Sequence, residues 1–163
     1  MYYWAYGSNL NVAAMRRRCP AAEQVRKMFV TDAALVFRGV ADVTVRKGNM
    51  VPGGLWKITE KCEASLDRYE GVGTRFYLKR YLPIKIKGKV HDCMFYQMRA
   101  STGVMPPSEA YLETIEQGYR DFGLDLAYLS EALERSWGDK HVTDWLRDRH
   151  FRRGSPKLAK ASR

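Results

Sequence analysis

Histidine and cysteine are both scarce in this chain of 163 residues, with three of each. His91, His141 and His150 lie far apart, with no His-Glu-x-x-His pattern and no Cys/His cluster, so no metal site is expected. Cys19, Cys62 and Cys93 are widely spaced, odd in number and without a Cys-x-x-Cys pair. That excludes a disulfide framework and predicts reduced thiols in a cytoplasmic protein. Cys93 falls in an alternating strand and reads as core rather than as a nucleophile. No apolar run reaches the roughly 20 residues that a membrane span needs. The N-terminus is aromatic, not basic and then apolar, and does not read as a signal peptide. A Gly-x-Ser-x-Gly elbow and a phosphate-binding Gly-x-x-x-x-Gly-Lys-[Ser/Thr] loop are missing too.

Acidic charge is the last shortage: 18 Asp and Glu stand against 28 Lys and Arg, a net charge of +10. The imbalance is local. From Arg147 to Arg163 the chain carries seven basic residues and one acid, in a stretch whose Gly, Ser and Pro content suits disorder. Residues 1–146 are therefore expected to form one domain, and 147–163 a basic, disordered tail. Such a tail suits a solvated end, or contact with phosphates and anionic surfaces. It motivates a nucleic-acid-binding reading, against which the domain itself offers no known nucleic-acid motif.

What is present is a series of short strands followed by helices. "MYYWAY" reads as a strand ended by Gly7, and "NVAAMRRRCP" as a short helix capped by Asn11. "MFVTDAALVF" and "ADVTVRK" read as strands, with a turn at "KGNMVPGG" before a further strand, "LWKIT". Thr59 caps a helix over 60–69, and Gly71 and Gly73 break it. "FYLKRYLPIKI" and "KVHDCMFYQM" form a hairpin through Lys87-Gly88-Lys89. Ser108 caps a helix with Tyr111, Ile115, Tyr119 and Phe122 as its apolar stripe, ended by Gly123. Asp125 caps another, with Leu126, Leu129, Leu133 and Trp137 facing inward. This order predicts an α+β fold, with a mostly antiparallel sheet or small barrel packed by helices.

Two stretches fit this scheme and also invite chemistry. In Tyr6-Gly7-Ser8-Asn9-Leu10, free backbone N–H groups at a helix start make an anion-binding nest, or simply a strand-to-helix turn. In "LDRYEGVGTRFY", Glu70 precedes the double-glycine break. Periodicity groups it with Glu63 and Asp67 on one polar face, as at a solvated helix end.

With "YGSNL", "LDRYEGV", Tyr77 seven residues after Glu70, and "PPSEAYLETIEQGYRDFGLDLAYLSEAL", in that order, the chain resembles the γ-glutamylcyclotransferase family over about residues 2–137. The resemblance implies a small mixed, mostly antiparallel β-barrel flanked by helices. It also implies release of 5-oxoproline from a γ-glutamyl amide, a small-molecule substrate, with no cofactor and no membrane. The substrate's own α-amine attacks its γ-carbonyl, so no enzyme nucleophile or metal is required. On this resemblance Glu70 is the catalytic carboxylate, and Gly7, Ser8, Asn9 and Leu10 form the substrate-binding loop. Tyr6, Tyr77 and Tyr111 match tyrosines near the site, Tyr111 being the one most open to a structural role.

An α-ammonium near pKa 7.8 and a carboxylate near 4.3 differ by about 3.5 units, roughly 5 kcal/mol uphill for proton transfer. A working Glu70 is thus expected to have a raised pKa, with Tyr69 and Phe76 as candidate apolar walls. Two features depart from the family pattern. Pro52 stands where a bulky residue is usual, and Arg75 brings a cation beside the site, suited to a substrate carboxylate or to lowering the pKa of Glu70. The wording of the first loop favours γ-glutamyl-amino acids and similar small amides as substrates. The rival within the same fold is a member that binds its ligand without turning it over.

Overall fold

Five strands hydrogen-bond into one sheet in the computed structural model, which describes residues 1–99 and 103–137. They are β1 (Tyr2–Ala5), β2 (Glu23–Phe37), β3 (Ala41–Lys57), β4 (Tyr77–Ile86) and β5 (Lys89–Met98). Their order is β2-β3-β1-β5-β4, antiparallel except where β1 runs parallel to β5. Four helices accompany it: α1 (Val12–Arg18), α2 (Glu60–Tyr69), α3 (Glu109–Asp121) and α4 (Ala127–Trp137). The α+β, mostly antiparallel class expected from the sequence is what folds. The barrel is looser than a closed one, because β2 and β4 remain unpaired edges of the sheet.

The shortness of β1 shapes the middle of the sheet. It pairs with residues 54–57 of β3 on one side and with Cys93 and Met94 of β5 on the other, then stops at Ala5. Beyond that point β3 and β5 continue without a strand between them. Side chains bridge the far end of the gap: Gln97 Nε2 donates to Val43 O at 2.9 Å, and the Met98 N–H donates to Asp42 Oδ1 at 3.0 Å. A pocket is therefore left where β1 ends.

The capping residues behave as their chemistry dictates. Asn11 Oδ1 accepts the Ala14 N–H, Thr59 Oγ1 that of Cys62, and Ser108 Oγ that of Tyr111. Asp125 Oδ1 accepts the Ala127 N–H, and Gly123, with φ of 60°, ends α3 in the left-handed region. Trp4, Trp56, Phe37, Leu66, Ile115 and Leu129 are fully buried in the core, and all three cysteines are free thiols within it.

Two expectations fail for identifiable reasons. β2 begins at Glu23, well before Met28, because pairing with the end of β3 holds an exposed stretch that has no apolar alternation. The turn expected at "KGNMVPGG" does not end the strand: β3 continues from Ala41 to Lys57, with a register irregularity where Thr31 faces Met50 and Ala33 faces Val45 and where Gly48 takes φ of 80°. Pro52 sits where β3 is paired with β2 but lies beyond the reach of β1, a position that tolerates a missing N–H. Gly54 belongs to a close approach, since a Cβ there would lie 2.4 Å from the Phe122 ring. The expected tail, 147–163, and the side chain of Trp137 lie outside the described residues. No helix among the described residues is long and apolar enough to cross a membrane.

Candidate active site

The gap beyond β1 is an open cleft of about 280 Å³. Its floor is the turn that follows β1. Gly7 supplies space at this turn: a Cβ there would meet Ala41 Cβ at 3.1 Å and the Tyr111 hydroxyl at 3.3 Å. The Leu10 N–H closes the turn onto Gly7 O at 3.0 Å. The N–H groups of Ser8 and Asn9, at the start of this 3-10 turn, have no helical partner, as the geometry of a helix start requires. Tyr6, Gly7, Ser8 and Asn9 all line the cleft. Leu10 does not: its side chain is fully buried, packed so closely on α3 that a Cβ at Gly118 would lie 2.4 Å from Leu10 Cβ.

Glu70 enters from the opposite wall. It is the C-cap of α2, its N–H bonded to Leu66 O at 2.8 Å, and Gly71 (φ 65°) turns the chain away immediately after it. Its Oε1 accepts a hydrogen bond from Asn9 Nδ2 at 2.7 Å. Burial raises the Glu70 carboxyl to about 7, against the lowering effects of the Asn9 hydrogen bond and the Arg18 guanidinium. Burial had been expected from Tyr69 and Phe76, but these side chains are exposed, at 48% and 51%. The groups that share the cleft with Glu70 are instead tyrosines.

Five phenols line it: Tyr3, Tyr6, Tyr77, Tyr96 and Tyr111. Burial pushes all five upward, Tyr111 to about 12, and the charge of Glu70 adds to the rise in each. Their protons go to different places. Tyr6 donates to Tyr96 O at 2.5 Å, Tyr77 to Ala41 O at 2.5 Å, and Tyr96 to Asp67 Oδ1 at 2.7 Å. Tyr3 accepts from Asn9 Nδ2 at 2.9 Å and Tyr111 from the Ala41 N–H at 3.1 Å, which leaves each of these hydroxyls a proton of its own.

Seven of the eight residues singled out in the sequence thus meet around one cleft, from four separate parts of the chain. Tyr3, Ala41 and Tyr96 were not anticipated. Tyr96 was within reach, since it lies opposite Lys79 in the hairpin register and so on the face of Tyr77. Tyr3 and Ala41 carried no signal. The cation acting on Glu70 is Arg18, whereas Arg75 is exposed in the turn after α2. Among the described residues no group of His, Cys, Asp and Glu could hold a metal ion.

The mostly antiparallel sheet thus carries a tyrosine-lined cleft that holds one carboxylate raised toward neutrality. Comparison with known proteins makes this specific. Residues 50–131 match the model of the AIG2-like family. The chain is 32% identical to γ-glutamylcyclotransferase of Bos taurus over 139 residues, covering 77% of this chain and 73% of that protein. It is 27% identical to γ-glutamylcyclotransferase of Mus musculus, covering 96% of this chain and 90% of that one. A solved structure of a γ-glutamyl cyclotransferase superposes with a TM-score of 0.72 at 26% identity, covering 91% of this chain and 98% of that one. The chain belongs to the AIG2-like, γ-glutamylcyclotransferase family.

Proposed function

We propose that this protein releases 5-oxoproline and a free amine from a γ-glutamyl amide, with Glu70 as the proton carrier. The observation that carries this reading is the Glu70 carboxyl, raised by burial to about 7 at the cleft wall and facing the Ser8 and Asn9 turn. Against an α-ammonium near 7.8, the transfer is uphill by about 1 kcal/mol rather than the roughly 5 of a solvated carboxylate. Glu70 removes a proton from the substrate α-ammonium. The freed amine attacks the γ-carbonyl and forms the C–N bond of the five-membered ring. The bond to the leaving amine breaks as that amine takes the proton from Glu70; the ring nitrogen gives its second proton to the ionised carboxylate, which passes it to the released amine, so the amine leaves as an ammonium. No water or cofactor is consumed.

The remaining groups have matching work. The free N–H groups of the turn suit the anionic oxygens of the substrate and of the tetrahedral intermediate. Of the phenols, Tyr3 and Tyr111 keep a proton to offer, while Tyr6 and Tyr77 brace the walls through Tyr96 and Ala41. Names of relatives support the substrate class, γ-glutamyl compounds, and the wording of the first loop favours γ-glutamyl-amino acids and similar small amides. The test is 5-oxoproline release from a panel of such amides by wild type and Glu70→Gln. Wild-type turnover that is lost in the variant supports the reading; cleavage of no panel member overturns it.

A further inference from the structure

Arg18, the last residue of α1, reaches the site without lining it. Its guanidinium carbon lies 3.7 Å from the centroid of the Tyr69 ring, and Nη1 donates to Asn9 Oδ1 at 2.9 Å. On its other side the Asn9 carboxamide donates from Nδ2 to Tyr3 Oη and to Glu70 Oε1. An amide can be turned over, exchanging its oxygen and nitrogen. Turned over here, Asn9 would face an acceptor-only carboxylate with its oxygen and a donor-only guanidinium with its NH₂. Tyr3, a donor and an acceptor, tolerates either orientation. Arg18 does not, because a guanidinium has no acceptor.

We propose that Arg18 is a positioning residue for Glu70. It locks the Asn9 amide with its NH₂ toward the carboxylate, and places a positive charge one amide away that sets how readily Glu70 yields its proton. The proposal rests on Glu70 being the proton carrier. The groups facing Glu70 leave this task to Arg18. Tyr3 on β1, Tyr6 after it, Tyr77 on β4, Tyr96 on β5 and Tyr111 on α3 all stay neutral near pH 7 because burial raises them. Asp42 and Asp67 act on those phenols: Asp42 on Tyr6 and Tyr77, Asp67 on Tyr96. Of the charged groups, it is Arg18 that pulls the Glu70 carboxyl down.

The experiment has two readouts, a ¹³C-detected NMR titration of the Glu70 carboxyl in the unliganded protein and the pH profile of kcat/KM. The Glu70 signal is identified by its loss in Glu70→Gln. Arg18→Met is expected to move the midpoint up by about one pH unit. The fraction of ionised Glu70, and kcat/KM with it, then falls about eightfold at pH 6.5 and hardly at all at pH 9. Arg18→Lys keeps the charge and is expected to return most of the shift. Arg17→Met, an exposed arginine on the same helix, controls for net charge and leaves the midpoint in place. If Arg18→Met does not fold, Arg18→Gln carries the same expectation. An unmoved midpoint in the neutral variants, or a loss of kcat/KM equal at every pH, overturns the proposal. If the midpoint moves but wild type releases no 5-oxoproline, the coupling stands and the cyclotransferase reading fails.

Discussion

The middle and the end of α2 present carboxylates on the same helical face, yet the two regions treat them differently. Glu63 and Asp67 both contact Lys79 Nζ, Asp67 at 2.8 Å. Burial alone would lower Lys79, but its bonds to Asp67 and Glu63 raise it, so this trio is charged and paired. One turn further on, Glu70 lies beside a cleft full of phenols, and its direct partner is the neutral amide of Asn9. Three carboxylates at helical spacing are alike in sequence. A cation within reach pairs two of them, whereas the third, beside an amide and buried, has its carboxyl raised to about 7.

The sharpest way to break this contrast is to remove the proposed proton carrier. Glu70→Gln keeps size and can still accept from Asn9, so the loop and the walls should hold. Turnover is expected to fall about 10²–10⁴-fold, the usual share of acid–base catalysis, with KM little changed. Steady-state kinetics on any cleaved γ-glutamyl amide checks this.

The turn opposite Glu70 comes next. Gly7→Val would drive atoms into Ala41 and the Tyr111 hydroxyl, which a glycine avoids. A displacement of about 1 Å at this point should cost up to about 100-fold in kcat/KM. Ser8→Ala leaves the backbone donors in place and should cost less than about tenfold, the worth of one ordinary hydrogen bond. Equal losses, in variants with unchanged circular dichroism, would indicate a working hydroxyl at Ser8.

A smaller effect separates the two paired acids. Asp67 holds Tyr96, whose carbonyl in turn receives the Tyr6 hydroxyl. Asp67→Asn should lower turnover about fivefold, through one hydrogen bond of roughly 1 kcal/mol. Glu63→Gln touches no cleft residue and should leave turnover within about twofold, with at most about 1 kcal/mol lost in stability. A solvated helix face would have made both substitutions silent.

Stability sharpens the same comparison from the other side. Glu70 has a carboxyl at about 7 in the folded protein and near its ordinary 4.5 when unfolded. Between those values the unfolded chain gives up its proton while the folded one retains it. The contribution of Glu70 to folding is therefore most favourable below about pH 4.5, weakens as pH rises toward 7, and stays weaker above. For a partly exposed group the cost at pH 8 is about 1–2 kcal/mol. Glu70→Gln should thus melt a few degrees higher than wild type at pH 8 and at the same temperature at pH 4. A thermal series across that range tests it without any substrate.

Much of the fold could be read from local chemistry. Asn11, Thr59, Ser108 and Asp125 cap where capping residues should, and the Lys87–Gly88 turn adopts the positive φ at both positions that a tight hairpin needs. The continuous β3 was hidden because Pro52, Gly53 and Gly54 look like a turn to any local rule. Their reason is tertiary: β1 ends short of Pro52, and Trp4 and Phe122 press against the glycines. The same holds at the site. Tyr3 and Ala41 share the cleft only because β1 pairs with β3 and stops early.

The sequence by itself determined β1, the β4–β5 hairpin, the helix starts, the Gly-Ser-Asn turn and the placing of Glu70 at a glycine-broken helix end. All of these depend on interactions within a few residues. The tertiary structure alone decided which carboxylate is raised toward neutrality. Lys79 is 12 residues from Asp67, Asn9 is 61 from Glu70, and Arg18 acts through that asparagine. The proton affinity of a side chain is set by the dielectric and the charges a few ångströms away. Which groups those are is fixed only when distant segments pack together.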